Sequence, residues 1–171
     1  MRAARTLALL LPLLLAACHG TPVIDTQRHE APSFEENVLN ANKVVAAAEE
    51  TQMDAYEKRH GWAMTRLGDG VRLQETNHTH GPALQRGNIV AVTYRLEALD
   101  GTLLYDGQTD TLTLGRQQPC PGLDHALTLL HEGSKARVLV PSAMGFGAAG
   151  DGDRVPPRTV LVYLIMNTKH I

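Results

Sequence analysis

Large aromatic rings are scarce in this 171-residue chain, at 4% of positions, so few are available to line a ligand pocket. Cysteines number two, Cys18 and Cys120. That excludes the multi-bridge framework of small secreted domains, and stability must come from packing. An excess of positive charge is missing too. A formal net charge of −2 and a pI near 6.4 leave no basic stripe, which argues against nucleic acid as a partner. The apolar run from Leu7 to Leu15 is too short to span a bilayer as a helix. No strand–helix–strand rhythm and no catalytic triad stand out. What remains is 43% apolar residues, sufficient for one core, in a length that allows one domain plus extensions.

The two ends of the first sixty residues read differently. Arg2 and Arg5 precede the apolar run, which ends in Leu15-Ala16-Ala17-Cys18. A positive start, a short apolar stretch and small residues before a cut site define a secretory signal over residues 1–17. Cys after Leu-Ala-Ala resembles the bacterial lipobox, in which that Cys is acylated and becomes the mature N-terminus; the plain alternative is a free Cys beside an ordinary cleavage site. Lipid on Cys18, palmitate included, implies a membrane-anchored protein of the cell envelope. The outer membrane is the favoured face, and the domain would be periplasmic or surface-facing. Residues 18–32 are polar, aperiodic and carry two prolines, as a flexible tether does. Ser33, with Glu36 three residues on, forms a capping box. Phe34, Val38, Ala41, Val45, Ala48 and Tyr56 then recur at helical spacing, so a helix is expected over 33–60 with its stop at Gly61. Its thin, alanine-rich face suits three arrangements: packing on the same chain, pairing with a second copy as a homodimer, or an unpacked spacer.

Beyond Gly61 the pattern is mostly β. Strands are expected at Val71–Glu75, Ile89–Leu96, Leu103–Asp106, Thr111–Leu114, Ala136–Val140 and Val160–Ile165. One short helix opens at Pro121, where proline is tolerated. Its Leu123, Ala126, Leu127 and Leu130 share one apolar face, and Glu132-Gly133 ends it. The segment from Val140 to Arg158 is expected to form a glycine-rich hairpin with a Pro156-Pro157 brake, arching over a cleft. His78-Thr79-His80 is a conceivable metal pair, but no cysteine or carboxylate cluster adjoins it in sequence, and structural zinc takes four ligands. A solvated loop without metal is therefore expected. These elements make an α+β domain over residues 61–171.

The order Leu114-Gly115, Pro121-Gly122-Leu123, an apolar helix, Glu132-Gly133-x-Lys135-Ala136, an apolar strand, Gly145-Phe146-Gly147-Ala148 and Val155-Pro156-Pro157-Arg158-Thr159-Val160-Leu161-Val162-Tyr163 resembles the FKBP-type peptidyl-prolyl isomerases. The segment Asn42 to Glu49, with Tyr56, Arg59, Gly61, Trp62 and Met64, is also similar to FKBP-type lipoproteins of gliding bacteria. The resemblance implies an antiparallel sheet curled around the short helix. It implies activity on proline-containing polypeptides, with no cofactor. It places Tyr94, Tyr105, Leu123 and Tyr163 in the slot, with Leu123 at its floor. Asp106 falls within the rim, and Cys120 offers a backbone N–H. The family's Asp-Gly turn is followed by two residues and then an aromatic-Asp pair; here Asp100-Gly101 is followed by three, so Tyr105 and Asp106 align only to a one-residue slip. Two positions depart from the family. Phe146 stands where a Tyr hydroxyl usually donates to the bound carbonyl, and Asp110 stands where many relatives carry a rim aromatic. Weakened isomerase activity and weak macrolide binding are the expectation. The leading reading is an envelope-anchored isomerase and chaperone that assists folding of exported proteins. The alternative is a non-catalytic binding or assembly module of an envelope machine, for gliding or secretion.

Overall fold

The computed structural model describes residues 33–171; the expected signal over 1–17, Cys18 and the tether over 18–32 lie outside the described residues. Helix α1 spans Phe34–His60 and begins as its capping box dictates. The Ser33 hydroxyl accepts the Glu36 N–H at 3.2 Å, and the Glu36 carboxylate accepts the Ser33 N–H at 2.8 Å. Glu35 and Glu36 sit in the first turn and Lys58, Arg59 and His60 in the last, each sign matching the helix dipole. Gly61 ends the helix in the left-handed conformation, φ 63°. No helix among the described residues is long and apolar enough to cross a membrane.

Six antiparallel strands follow: β1 Thr65–Arg66, β2 Arg72–Asn77, β3 Ile89–Ala98, β4 Leu103–Thr113, β5 Lys135–Val140 and β6 Leu161–His170. Their order across the single sheet is β1-β2-β5-β6-β3-β4. Helix α2, Pro121–Leu127, packs on one face of the sheet. The four residues expected on its apolar face, Leu123, Ala126, Leu127 and Leu130, are all buried. The approach is close: a Cβ on Gly122 would collide with the Val140 side chain, so only glycine lets helix and strand meet there.

Strand β6 is apolar at successive positions because both of its faces are covered. Leu161, Tyr163 and Ile165 join the core under α2, while Val162 and Leu164, with Val160 just before the strand, face a second cluster with Met53 and Tyr56 of α1 and with Trp62. Each such fully buried side chain contributes about 1.5–3 kcal/mol. The C-terminal half of α1 packs on the same chain, through a stripe that shares Tyr56 with the expected one but is otherwise shifted. Glu49, Met53 and Tyr56 are buried, whereas Phe34, Ala41 and Ala48 are exposed. Polar contacts flank this apolar seam. Glu49 accepts the N–H and the hydroxyl of buried Ser142 at 3.0 and 2.5 Å. Arg72, 1% exposed, pairs with Glu57, with Asp54 at 2.7 Å and with the Glu50 carbonyl at 3.1 Å.

Three local expectations are corrected. The segments 103–106 and 111–114 are one strand, because β4 absorbs extra residues as bulges instead of breaking. Tyr94 pairs with Gln108 and Leu96 with Tyr105, which leaves Asp106-Gly107 in the first bulge. Glu97 then pairs with Leu103, so Leu104, the residue in excess after Asp100-Gly101, is taken up in the second. The glycine-rich segment is a 3-10 turn, Ser142–Met144, followed by further turns, with no hairpin ladder. Helix α2 stops at Leu127, three residues before the last apolar position of its stripe; Leu130 reaches the core from the turn that follows.

Candidate active site

The concave end of the sheet and the 142–158 loop enclose a cleft of about 210 Å³. Its walls are Tyr94 and Leu96 from β3, Tyr105 and Asp110 from β4, Phe146 and Asp151 from the loop; Gln108 and Pro119 also line it. The β4 bulge sets the register that puts Tyr105 and Asp110 on the same side as Tyr94. The loop that carries Pro119 is fixed by buried Asp124, whose carboxylate accepts the N–H groups of Gly115 at 2.8 Å and Gln117 at 3.2 Å.

Every tyrosine of this region has a partner. The Tyr94 hydroxyl donates to Asp110 at 2.6 Å, and Tyr105 donates to Asp151 at 2.7 Å. The Tyr163 hydroxyl lies 3.7 Å from Cys120 Sγ, and its ring meets Tyr94 edge-on with centroids 5.1 Å apart. Burial, and then the Asp110 hydrogen bond, push the Tyr94 hydroxyl far above its ordinary pKa; burial does the same to Tyr163. The hydrogen bond to Asp151 pushes Tyr105 up to about 12. Burial of Asp151 works to raise its pKa, but hydrogen bonds from Tyr105 and from backbone N–H groups outweigh it and hold the carboxyl below its usual range. Burial also pushes the Cys120 thiol up. A protonated, buried thiol is not a nucleophile.

The seven expected residues therefore divide. Tyr94, Tyr105 and Phe146 converge on the cleft. Cys120, Leu123 and Tyr163 are buried in the core cluster behind it, and Leu123 is not a lining residue. Asp106 stands outside, exposed, 3.6 Å from Arg95. Asp151 was not anticipated. The Asp151-Gly152 pair reads as an ordinary turn, yet its carboxylate also accepts the N–H groups of Asp153 and Val155 at 2.9 and 2.8 Å and so ties the loop to Tyr105. A larger cavity, about 370 Å³, lies along α1 beside Val45, Met53 and Pro141. Its one buried carboxylate, Glu49, is already satisfied by Ser142, which marks a packing seam.

The arrangement offers apolar ring walls, carboxylate acceptors and no nucleophile or redox group. That suits a reaction made of bond rotation. Twisting a peptide bond costs about 18–20 kcal/mol through lost resonance, and an Xaa-Pro bond populates both isomers while exchanging over tens of seconds or more. Walls that hold the proline ring and strip water from the carbonyl favour the twisted state, whose carbonyl carries less charge.

Residues 81–166 match the family model described as FKBP-type peptidyl-prolyl cis-trans isomerase. The chain is similar to an FK506-binding protein of Neisseria meningitidis serogroup C, with 31% identity covering 53% of this chain and 87% of the relative. It also resembles a probable FKBP-type isomerase, FkpA, of N. meningitidis serogroup B, at 25% identity over 73% of this chain and 47% of that one. Among solved structures, the peptidyl-prolyl isomerase of Pseudomonas syringae pv. tomato superposes with a TM-score of 0.60 and 28% identity, covering 75% of this chain and 92% of that one. FkpA of Escherichia coli shares the fold, with a TM-score of 0.60 at 21% identity over 81% of this chain and 74% of that one. The sheet curled on α2, the ring-walled cleft and the matched 81–166 segment together establish that the chain belongs to the FKBP-type peptidyl-prolyl cis-trans isomerase family.

Proposed function

We propose that this peptidyl-prolyl isomerase works in the cleft between Tyr94, Tyr105 and Phe146, on proline-containing segments of exported proteins, while tethered to a membrane through Cys18. The observation that carries the reading is the convergence of these three rings with Asp110 and Asp151 on one cleft. The Phe146 and Tyr105 rings hold the prolyl ring and exclude water. Tyr94 backs them, locked by Asp110 and by the edge of Tyr163. Cys120 precedes α2 in extended conformation, φ −147°, and its N–H is the donor offered to the substrate backbone. No side-chain hydroxyl helps it: both tyrosine protons point at carboxylates, and Phe146 has none.

The membrane tether rests on the sequence around Cys18. Assistance to newly exported chains follows from that location.

Exchange spectroscopy by NMR on an Xaa-Pro peptide, with the chain beginning at His19, tests the catalytic part. Faster cis–trans exchange supports the cleft as an active site; an unchanged rate leaves a binding scaffold. Cell fractionation of wild type and Cys18→Ser tests the anchor, which is wrong if both variants stay with the membrane.

A further inference from the structure

Away from the cleft, two imidazoles and a carboxylate meet at the end of β2. Glu75 lies on β2, His78 just past it, and His131 in the turn between α2 and β5. One oxygen of Glu75 and one nitrogen from each imidazole all lie within 4.8 Å of one another. The Glu75 carboxylate is 2.8 Å from His78 Nδ1, and the His78 and His131 ring centroids are 5.2 Å apart. The His80 ring adjoins His78 at 5.8 Å. Among the described residues, His131 Nδ1 is the buried side-chain nitrogen or oxygen with no hydrogen-bond partner. A buried polar atom left unpaired is destabilising, and a bound ligand would satisfy this nitrogen.

We infer that Glu75, His78 and His131 form a binding site for a divalent transition-metal ion. The donor set, imidazole nitrogen with one carboxylate, suits zinc and its neighbours, whereas calcium and magnesium prefer oxygen alone. Ligands at about 2.0–2.2 Å from zinc stand about 3.3 Å apart in a tetrahedron. Closing from the observed spacing takes a shift of about an ångström, which exposed His78 can make. The rest of the site is built already. His131 is pinned by its backbone: its N–H donates to Ser134 Oγ at 3.3 Å and its carbonyl accepts from Thr168 Oγ1 at 3.0 Å. Ser134 in turn donates to Glu75 at 2.5 Å, the outer-shell support that orients a ligating carboxylate. Loop 78–84 is held against the same turn through a bridge between Ala83 and His131 and through Thr79 Oγ1 on the Glu132 carbonyl at 2.5 Å. The ion would clip the loop after β2 to the turn before β5.

The test is calorimetric titration of the full chain, free of any polyhistidine tag, with zinc chloride, alongside His78→Ala and His60→Ala. Wild type and His60→Ala should each bind one zinc per chain. Removing a ligand costs at least as much as removing outer-shell support, so His78→Ala should weaken binding by about tenfold or more. His78 is exposed, so its loss should leave the fold intact. Melting wild type and His78→Ala with and without zinc gives a second readout, since bound ligand raises the transition and should do so only where the site survives. Absence of stoichiometric binding to wild type, or equal affinity in His78→Ala, overturns the proposal.

Discussion

Arg72→Met removes the guanidinium that joins α1 to the sheet and keeps the length of its stem. Arg72 is 1% exposed, while its partners Glu57, Asp54 and Glu50 are 16%, 49% and 58% exposed. Breaking a fully buried pair costs about 3–5 kcal/mol, because the partner is left charged and unpaired. Water can reach Asp54 and Glu50, so their share falls toward the small values of surface pairs. Glu57 and the Glu50 carbonyl, which accepts at 3.1 Å, keep theirs. The net is a loss of about 3 kcal/mol, and at about 3 °C per kcal/mol for a domain of this size the melting point should drop by about 9 °C. Trp62, the chain's single tryptophan, reports on the same seam: Tyr56 of α1 meets it edge-on at 5.3 Å and the Arg137 guanidinium lies 4.6 Å from its ring. Thermal melts followed by Trp fluorescence and by circular dichroism should therefore shift together. A drop of less than about 3 °C, roughly 1 kcal/mol, would refute the assignment of Arg72 as the clasp.

Two further outcomes follow from the cleft. The Tyr105–Asp151 bond makes the closed 146–155 loop pH-dependent at both ends. Tyr105 is raised to about 12, so its contribution is complete below its ordinary pKa of 10 and is lost as pH climbs through about 12. The Asp151 contribution is present above its ordinary 3.8 and is lost as pH falls through its lowered folded value. Hydrogen exchange of the loop should rise at both extremes in wild type, and Tyr105→Phe should be faster at neutral pH with no further alkaline step. The second outcome concerns substrates. With Asp110 and Asp151 in its walls, the cleft should turn over a Lys-Pro peptide about two- to fivefold faster than Glu-Pro at low salt, the worth of one solvent-screened charge contact. Peptide panels should show the gap closing in Asp110→Asn, and equal rates in wild type would dismiss the electrostatic preference.

Chemistry that is local in sequence was legible. The Ser33–Glu36 capping box, the Gly61 stop, the apolar stripe of α2 and the β-branched core of β3 all announce themselves within a few residues. Decisions made by partners distant in sequence were not. The α1 stripe reads as alanine-based, but the buried positions are Glu49, which meets Ser142 93 residues away in sequence, and Met53 and Tyr56, which pack on Val160 and Val162. Asp151 resembled a turn residue until Tyr105, 46 residues earlier, was brought to it. His78-Thr79-His80 reads as a solvated loop because Glu75 is the one member of the cluster near it in sequence, and His131 joins them only when β2 pairs with β5. Leu104 posed the reverse problem. An extra residue blurs any alignment of the segment, yet in the sheet it becomes one bulge that leaves Tyr105 facing the cleft.

If Xaa-Pro bonds are turned in the cleft at Phe146, a hydroxyl placed there should act on the substrate carbonyl. The most direct test is the catalysed exchange rate of Phe146→Tyr beside wild type on the same peptide. One restored neutral hydrogen bond is worth about 1 kcal/mol, so the rate should rise about fivefold. Wild-type activity that the new hydroxyl leaves unchanged would mean that the substrate carbonyl does not sit at Phe146 and that the cleft has been assigned wrongly.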